Sequence, residues 1–600
     1  MKTSYHTIII GSGCAGYHAA ERLYDLGVTD IAILTEGRTC GTSRNTGSDK
    51  QTYYKLSLCG GEGDSVREMA QTLFDGGAVN GDTALCEAAY SARCFYHLVE
   101  LGVPFPTNEY GEYAGYKTDH DPRSRATSCG PYTSRYMTEA LERAVLARRI
   151  PILDGYLATG IHTEGGRVRG LSAVEIATAK PVTLACRNII LCTGGEAGIY
   201  ARTVYPESQH GGLGLAIAAG ATMANLDQWQ YGMSSISFRW NVSGTYQQVL
   251  PRYVSVDERG VEREFLYEAL GEESLGLIFL KGYQWPFDTR KIGGSSRVDM
   301  LVDAETGRGR RVYLDFTKNP KGLDAAFAAL PPEAYQYLER SGALFGTPIE
   351  RLLHMNRRAV DLYAAHGIDL RRDWLEIAVC AQHGNGGVAV DAHWQSDIEG
   401  LYAAGEAAGN FGVYRPGGSA LNATQVGSLR AAEHIAAQGD TALPIPPLPP
   451  AAHTPKPRRE EDLKADRERL QRGMSACAHF LRDTAGMEAL LGEIDRLCEG
   501  YLAHEGAHQS PAQLIERYRL TDALLTARAT LSAMLCSARE VGSHGGAAVL
   551  SDTRSLPDTP RTTRTLTRGA DSRIEPVTPL PDPELWFETL LARQKDITKE

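Results

Sequence analysis

Short apolar runs alternate with glycine-rich turns at the start of the chain. His6-Thr7-Ile8-Ile9-Ile10 is an unbroken apolar run suited to a strand buried on both faces of a parallel sheet. Gly11-Ser12-Gly13-Cys14-Ala15-Gly16 follows, and Ala15, Ala19, Leu23 and Leu26 then recur at helical spacing until Gly27. Ile31-Ala32-Ile33-Leu34 predicts a second strand ending at Glu36, which completes a βαβ unit. Two later runs, Ile189-Ile190-Leu191-Cys192 and Gly400-Leu401-Tyr402-Ala403-Ala404-Gly405-Glu406, read as further strands of the same domain.

The same patterning divides the chain. Residues 1–230 and 370–440 read as two parts of one α/β dinucleotide-binding domain, interrupted by a polar, aromatic and weakly periodic insertion over 231–369. Residues 441–457 form a proline-rich linker. Leu, Ala, Glu and Arg at helical spacing predict a small helical domain over 458–550. The extension over 551–600, rich in Thr, Pro and Arg, is expected to cover the surface with little regular structure.

Length supports this partition, since 600 residues exceed what one hydrophobic core accommodates. Lys and Arg total 62 against 73 Asp and Glu, and no basic block suggests a nucleic-acid surface. No apolar run approaches the roughly 18–20 residues of a membrane span, and the N-terminus carries no secretory pattern. A cytoplasmic protein is expected, with association to a membrane subunit left open. The 12 cysteines are scattered without a C-x-x-C pair. That argues against an internal iron–sulfur cluster, a zinc site or a dithiol centre, and no metal is expected.

The glycine loop has a mechanical reading. Gly11 permits the tight strand-to-helix turn, Gly13 and Ala15 line the approach of a pyrophosphate, and Gly16 lets helix pack on strand. The helix N-terminus offers partial positive charge to the phosphates. Glu36, 20 residues beyond Gly16, is placed to accept from ribose hydroxyls.

Further segments carry a family resemblance. Thr193-Gly194-Gly195 with Gly198-Ile199-Tyr200, Ala403-Ala404-Gly405-Glu406, and Arg415-Pro416-Gly417-Gly418-Ser419-Ala420-Leu421 occur in order over nearly the whole chain. Together they resemble the flavoproteins of fumarate reductase, succinate dehydrogenase and L-aspartate oxidase. The resemblance implies a glutathione-reductase-type, Rossmann-like FAD-binding domain, an inserted α+β capping domain and a C-terminal helical domain. It also implies that Thr193, Gly194, Gly195, Glu406, Ser419, Ala420 and Leu421 contact FAD.

By the same resemblance, Arg415 holds a substrate carboxylate and His383, in Gln382-His383-Gly384, is a substrate ligand. Arg290 is the candidate proton donor of the cap. The implied reaction is hydride transfer between flavin and a small carboxylate-bearing substrate, with reduction of an activated C=C bond expected. An oxidase or dehydrogenase of a small acid or amine, a flavoprotein subunit of an electron-transfer complex, and a noncatalytic FAD scaffold remain alternatives. An electron-donor protein, iron–sulfur or flavin-carrier, is the expected partner.

The chain departs from the family at several points. Thr42-Ser43-Arg44-Asn45-Thr46-Gly47 stands where relatives carry a flavin-linking histidine, so FAD is expected to be noncovalent. Gln209-His210-Gly211-Gly212 replaces T-G-D-G, and Trp229-Gln230-Tyr231-Gly232 replaces a segment with a substrate-binding histidine. The signature of the fold is therefore more complete than that of the substrate.

Overall fold

In the computed structural model, which describes residues 2–439, 459–502 and 510–597 apart from 58, 62, 555, 557, 558 and 584–586, the βαβ unit forms as its pattern requires. The strand Ser4–Ile10 lies between Ile31–Thr35 and Pro181–Leu191, parallel to both, with Ile8 opposite Ala32 on one side and Ile189 on the other. Ile8, Ile9, Ile189 and Ile190 are fully buried, which accounts for their unbroken apolar runs. Leu401–Ala403 extends this seven-stranded sheet beside Pro181–Leu191, and Glu406 follows in a 3-10 turn, Gly405–Ala407. The glycine-loop helix, Cys14–Asp25, buries Ala15, Ala19 and Leu23. Leu26 falls at its C-cap and is exposed, so it ends the apolar stripe instead of continuing it.

A second, six-stranded antiparallel sheet is built from Trp229–Ser235, Trp240–Asn241, Arg252–Val256, Glu262–Arg263, Arg311–Asp315 and Leu375–Gly384. Its central pairing sets Gln230 directly opposite His383, and a bulge falls between Gln230 and Tyr231. That register positions two side chains of the candidate site.

Three helices, Glu460–Cys477, Thr484–Leu502 and Pro511–Glu540, make up the helical region. The longest starts at a Ser510/Gln513 capping box and packs against the cofactor fold. The proline-rich stretch 441–457 lies outside the described residues. The C-terminal extension is more regular than its composition suggested. Thr563–Arg568 and Asp571–Pro576 form a hairpin turned at Gly569, and Thr563–Arg568 also pairs with Met223–Ala224. Thr565, Leu566 and Thr567 are buried there. Alternation over six residues is too short to stand out against the surrounding Thr and Arg.

Candidate functional site

The glycine loop, the ends of the parallel strands and the C-terminal helix enclose a cavity of about 740 Å³. Gly11, Gly13, Ala15, Glu36, Thr193 and Gly194 line one end. Gly11 adopts φ +111°, and a Cβ on it would stand 2.3 Å from the carbonyl oxygen of Cys192. A Cβ on Gly16 would stand 1.9 Å from the Gly11 oxygen, so this glycine serves helix-on-strand packing and not the lining. At Gly13 the nearest atom to such a Cβ is Ser43 Oγ at 3.1 Å, and the space beside it opens into the cavity.

Two helices, Cys14–Asp25 and Ser419–Ala437, begin here without a side-chain bond from the N-cap residue. The Cys14 N–H donates to Ser43 Oγ and the Ser419 N–H to the Pro416 carbonyl, which leaves the N–H groups just beyond them for an anionic ligand. The hydroxyls of Thr193 and Ser419 are buried without a hydrogen-bond partner. Ala420 and Leu421 line the same wall, while Gly195 sits behind it against the Glu406 carboxyl. Orphaned hydroxyls, uncapped helix termini and the acidic residue ending the second strand together fit a dinucleotide cofactor.

Sequence reading missed the contribution of the C-terminal helix. Arg519 donates to Glu36 at 3.0 Å, and Asp522, one turn on, presses against Gly214 and interacts with Glu196. Nothing local to Glu36 signals an arginine from this helix. Gln209, also missed, ties down the Thr193 loop by donating to the carbonyls of Thr193 (2.8 Å) and Gly195 (2.9 Å). His210 lines the cofactor end, and burial pushes its imidazole down to about 3, so it is uncharged there.

At the other end Arg415, His383 and Glu406 come together in the folded chain. Arg415 is buried, and its donors meet only neutral acceptors, Gln230 Oε1 at 2.6 Å and Asn385 Oδ1 at 3.3 Å. Among the described residues no carboxylate ion-pairs with it. Burial pulls its guanidinium down to about 10, which still leaves it charged near neutral pH.

His383 Nδ1 lies 3.0 Å from the same Asn385 oxygen. Asn385 Nδ2 donates to the Gly412 carbonyl at 2.7 Å, which fixes the amide orientation and makes Oδ1 the acceptor. Nδ1 therefore carries the ring proton and Nε2 presents a lone pair. Burial, and next the Arg415 charge, hold this imidazole well below its usual range. Glu406 accepts from Tyr205 and from the Gly384 N–H, and burial pushes its carboxyl up to about 7.

Arg290 is outside the lining. It lies in the 3-10 turn Thr289–Lys291, bonded to Asp288 at 3.0 Å, with its guanidinium carbon 3.4 Å from the centre of the Tyr414 ring. Asp288, Tyr414 and His120 do line the cavity, and His120 Nδ1 is 3.3 Å from Arg290. His120 is held at φ +61°, a strained conformation for a non-glycine residue. Lys291 pairs with Asp119 at 2.7 Å. Tyr231 points away, bonding Tyr200 and the Ala478 carbonyl.

The model of the FAD binding domain family matches residues 6–421. The chain is 26% identical to a Methanothermobacter marburgensis protein named as one of the subunits of fumarate reductase (CoM/CoB), covering 90% of this chain and 93% of that protein. It is likewise 26% identical to an L-aspartate oxidase of Mycobacterium leprae, covering 90% and 92%. Among solved structures, a chain of the E. coli quinol fumarate reductase shares the fold with a TM-score of 0.71 at 17% identity, covering 97% of this chain and 98% of that one.

Proposed function

From a chain that belongs to the FAD binding domain family and is an FAD-dependent oxidoreductase of the fumarate reductase, succinate dehydrogenase and aspartate oxidase type, we propose a reductase of an activated C=C bond beside a carboxylate. The observation that supports it is Arg415, a buried guanidinium with neutral partners only. Such a group calls for an anion, and a planar carboxylate matches its fork.

FAD would be held by the glycine-loop and Ser419–Ala437 helix termini, Glu36 and the Thr193 loop, and without a covalent histidyl link, since residues 42–47 contain no histidine. Bound there, FAD would supply the two-electron chemistry, hydride exchange with one carbon of the substrate double bond. The protein's own part is positional. Arg415 anchors the carboxylate and draws electron density toward it, leaving the far carbon electron-poor. Gln230 and Asn385 fix the direction of that guanidinium.

The neighbouring carbon needs a proton. Arg290, kept charged by Asp288, is a poor acid. Its place on the Tyr414 ring makes it a positioning residue for the Tyr414 hydroxyl, which accepts from the Gly545 N–H at 2.9 Å and keeps its own proton for the cavity. The 231–369 segment acts as the cap that excludes water. Electrons arrive from a separate protein, a role consistent with the naming of the Methanothermobacter relative as one part of a larger enzyme.

The test is anaerobic reoxidation of the reduced holoprotein by a panel of unsaturated acids, with oxygen as control. Reoxidation by an acid, lost in Arg415→Ala with FAD retained, supports the reductase. Reoxidation by oxygen alone means an oxidase, and by neither means a flavoprotein that works only with its partner.

A further inference from the structure

We infer that the substrate is a monocarboxylate, a 2-enoic acid with an apolar or aromatic substituent, and not a dicarboxylate. The inference rests on the reading of Arg415 as the carboxylate anchor and concerns what the rest of that pocket accepts.

Charge is the first argument. Arg415 is a buried cation of the cavity, and among the described residues no carboxylate lies within ion-pair distance of it, Glu406 and Glu87 acting on it only from further away. The other cations at this end are already matched, Arg290 by Asp288 at 3.0 Å and Lys291 by Asp119 at 2.7 Å. Lys50 and Lys117 stand at the rim, exposed to water, where a charge counts for little. A second carboxylate would enter the buried region without a partner, at a cost comparable to any unpaired buried charge.

The second argument is the tautomer of His383. Its proton sits on Nδ1, committed to Asn385, so the free Nε2 carries a lone pair. That nitrogen repels a carboxylate and can only accept from a donor. Gln230 already gives its oxygen to Arg415, and its remaining amide hydrogens are neutral donors.

The third is the character of the walls. Phe411 packs edge-on against His383 at 5.0 Å and faces Arg415 at 6.0 Å. Val413, Trp285 and Phe287 continue the lining. The Trp285 indole N–H is used on the Met233 carbonyl at 3.1 Å, so this ring has no donor to offer a ligand. An apolar substituent is stabilised by leaving water for these surfaces.

The oxidised holoprotein would be titrated with the saturated acids butanoate, 3-phenylpropanoate and succinate, reading the change in flavin absorption. The reduced holoprotein would be reoxidised in parallel by crotonate, cinnamate and fumarate. We expect the monocarboxylates to bind at least about ten-fold more tightly than succinate, and crotonate or cinnamate to reoxidise faster than fumarate. Preference for succinate and fumarate, still lost in Arg415→Ala, would overturn the inference and leave the reductase standing. If no acid perturbs the spectrum or reoxidises the flavin, the reductase reading falls and the inference with it.

Discussion

Arg519 Nε lies 3.0 Å from the Glu36 carboxylate although 483 residues of chain separate them. The ion pair joins the longest C-terminal helix to the acidic end of the second strand, inside the cofactor end of the cavity. Burial pushes the Glu36 carboxyl up, and Arg519 works against that shift. Arg519→Leu removes the opposing charge, so Glu36 protonates more readily and accepts ribose hydroxyls less well. FAD affinity of the apoprotein, followed by flavin fluorescence, should fall about ten-fold, or about 1.4 kcal/mol. Unchanged affinity would detach Glu36 from cofactor binding.

Two glycines with positive φ should respond differently to alanine. Gly27 ends the glycine-loop helix at φ +91° with nothing within 4 Å of an added Cβ. Gly27→Ala should therefore cost only the strain of a left-handed alanine, about 1 kcal/mol. Gly11 combines φ +111° with a Cβ position 2.3 Å from the Cys192 oxygen, so alanine there must displace the neighbouring strand. We expect Gly11→Ala to lose about 3 kcal/mol or more and to purify without FAD. Thermal melts and the flavin-to-protein absorbance ratio separate the two. Similar behaviour of both variants would refute the steric account.

The contrast shows which features were legible in the sequence. The βαβ unit was, because its apolar runs, glycine loop and terminal acid all lie within residues 6–36 and obey local rules. Arg415, His383 and Glu406 stand in ordered motifs, and the fold brings them together. Gln230 as a partner of Arg415 was not legible. It depends on the register of two strands about 150 positions apart and on a bulge beside it. The proton position on His383 depends on Asn385, visible two residues away, but its orientation is set by Gly412 from another loop. Arg519 and Asp522 share a helix face whose target cannot be read from helical periodicity.

The C-terminal hairpin should matter for stability through one buried charge. Asp227 is fully buried, and Arg561, just before the hairpin, donates to it at 3.1 Å with His544 Nε2 at 3.5 Å. Burial opposes the charge, but Arg561, His544 and Arg482 hold the carboxyl far below its usual range. A depressed folded value means this stability is present above the ordinary carboxylate range and is lost in acid. Arg561→Ala leaves the carboxylate short of its main partner, and about 3 kcal/mol of unfolding free energy should disappear. Urea unfolding at neutral pH measures the loss, and accelerated proteolysis near residue 561 would accompany it. A stability unchanged within error would mean that His544 and Arg482 suffice.

Glu196 and Asp522 form the opposite case. They face each other between the Thr193 loop and the C-terminal helix, and Gly214 leaves the room that the Asp522 carboxyl occupies. Burial pushes Asp522 up to about 7, and burial together with the Asp522 charge pushes Glu196 well above its usual range. Carboxyls raised on folding contribute stability that is complete below their unfolded values and lost as pH rises through the folded ones. As Asp522 ionises, negative charge builds up against Glu196 and strains the packing of the helix that carries Arg519 near Glu36. The melting temperature of the holoprotein should therefore fall between about pH 5 and about pH 8, and flavin should be released more readily at the upper end. Asp522→Asn keeps the shape and removes the Asp522 titration while buried Glu196 still titrates, so its melting temperature should fall less steeply over the same interval. Equal slopes for the two proteins would place the pH dependence outside this pair.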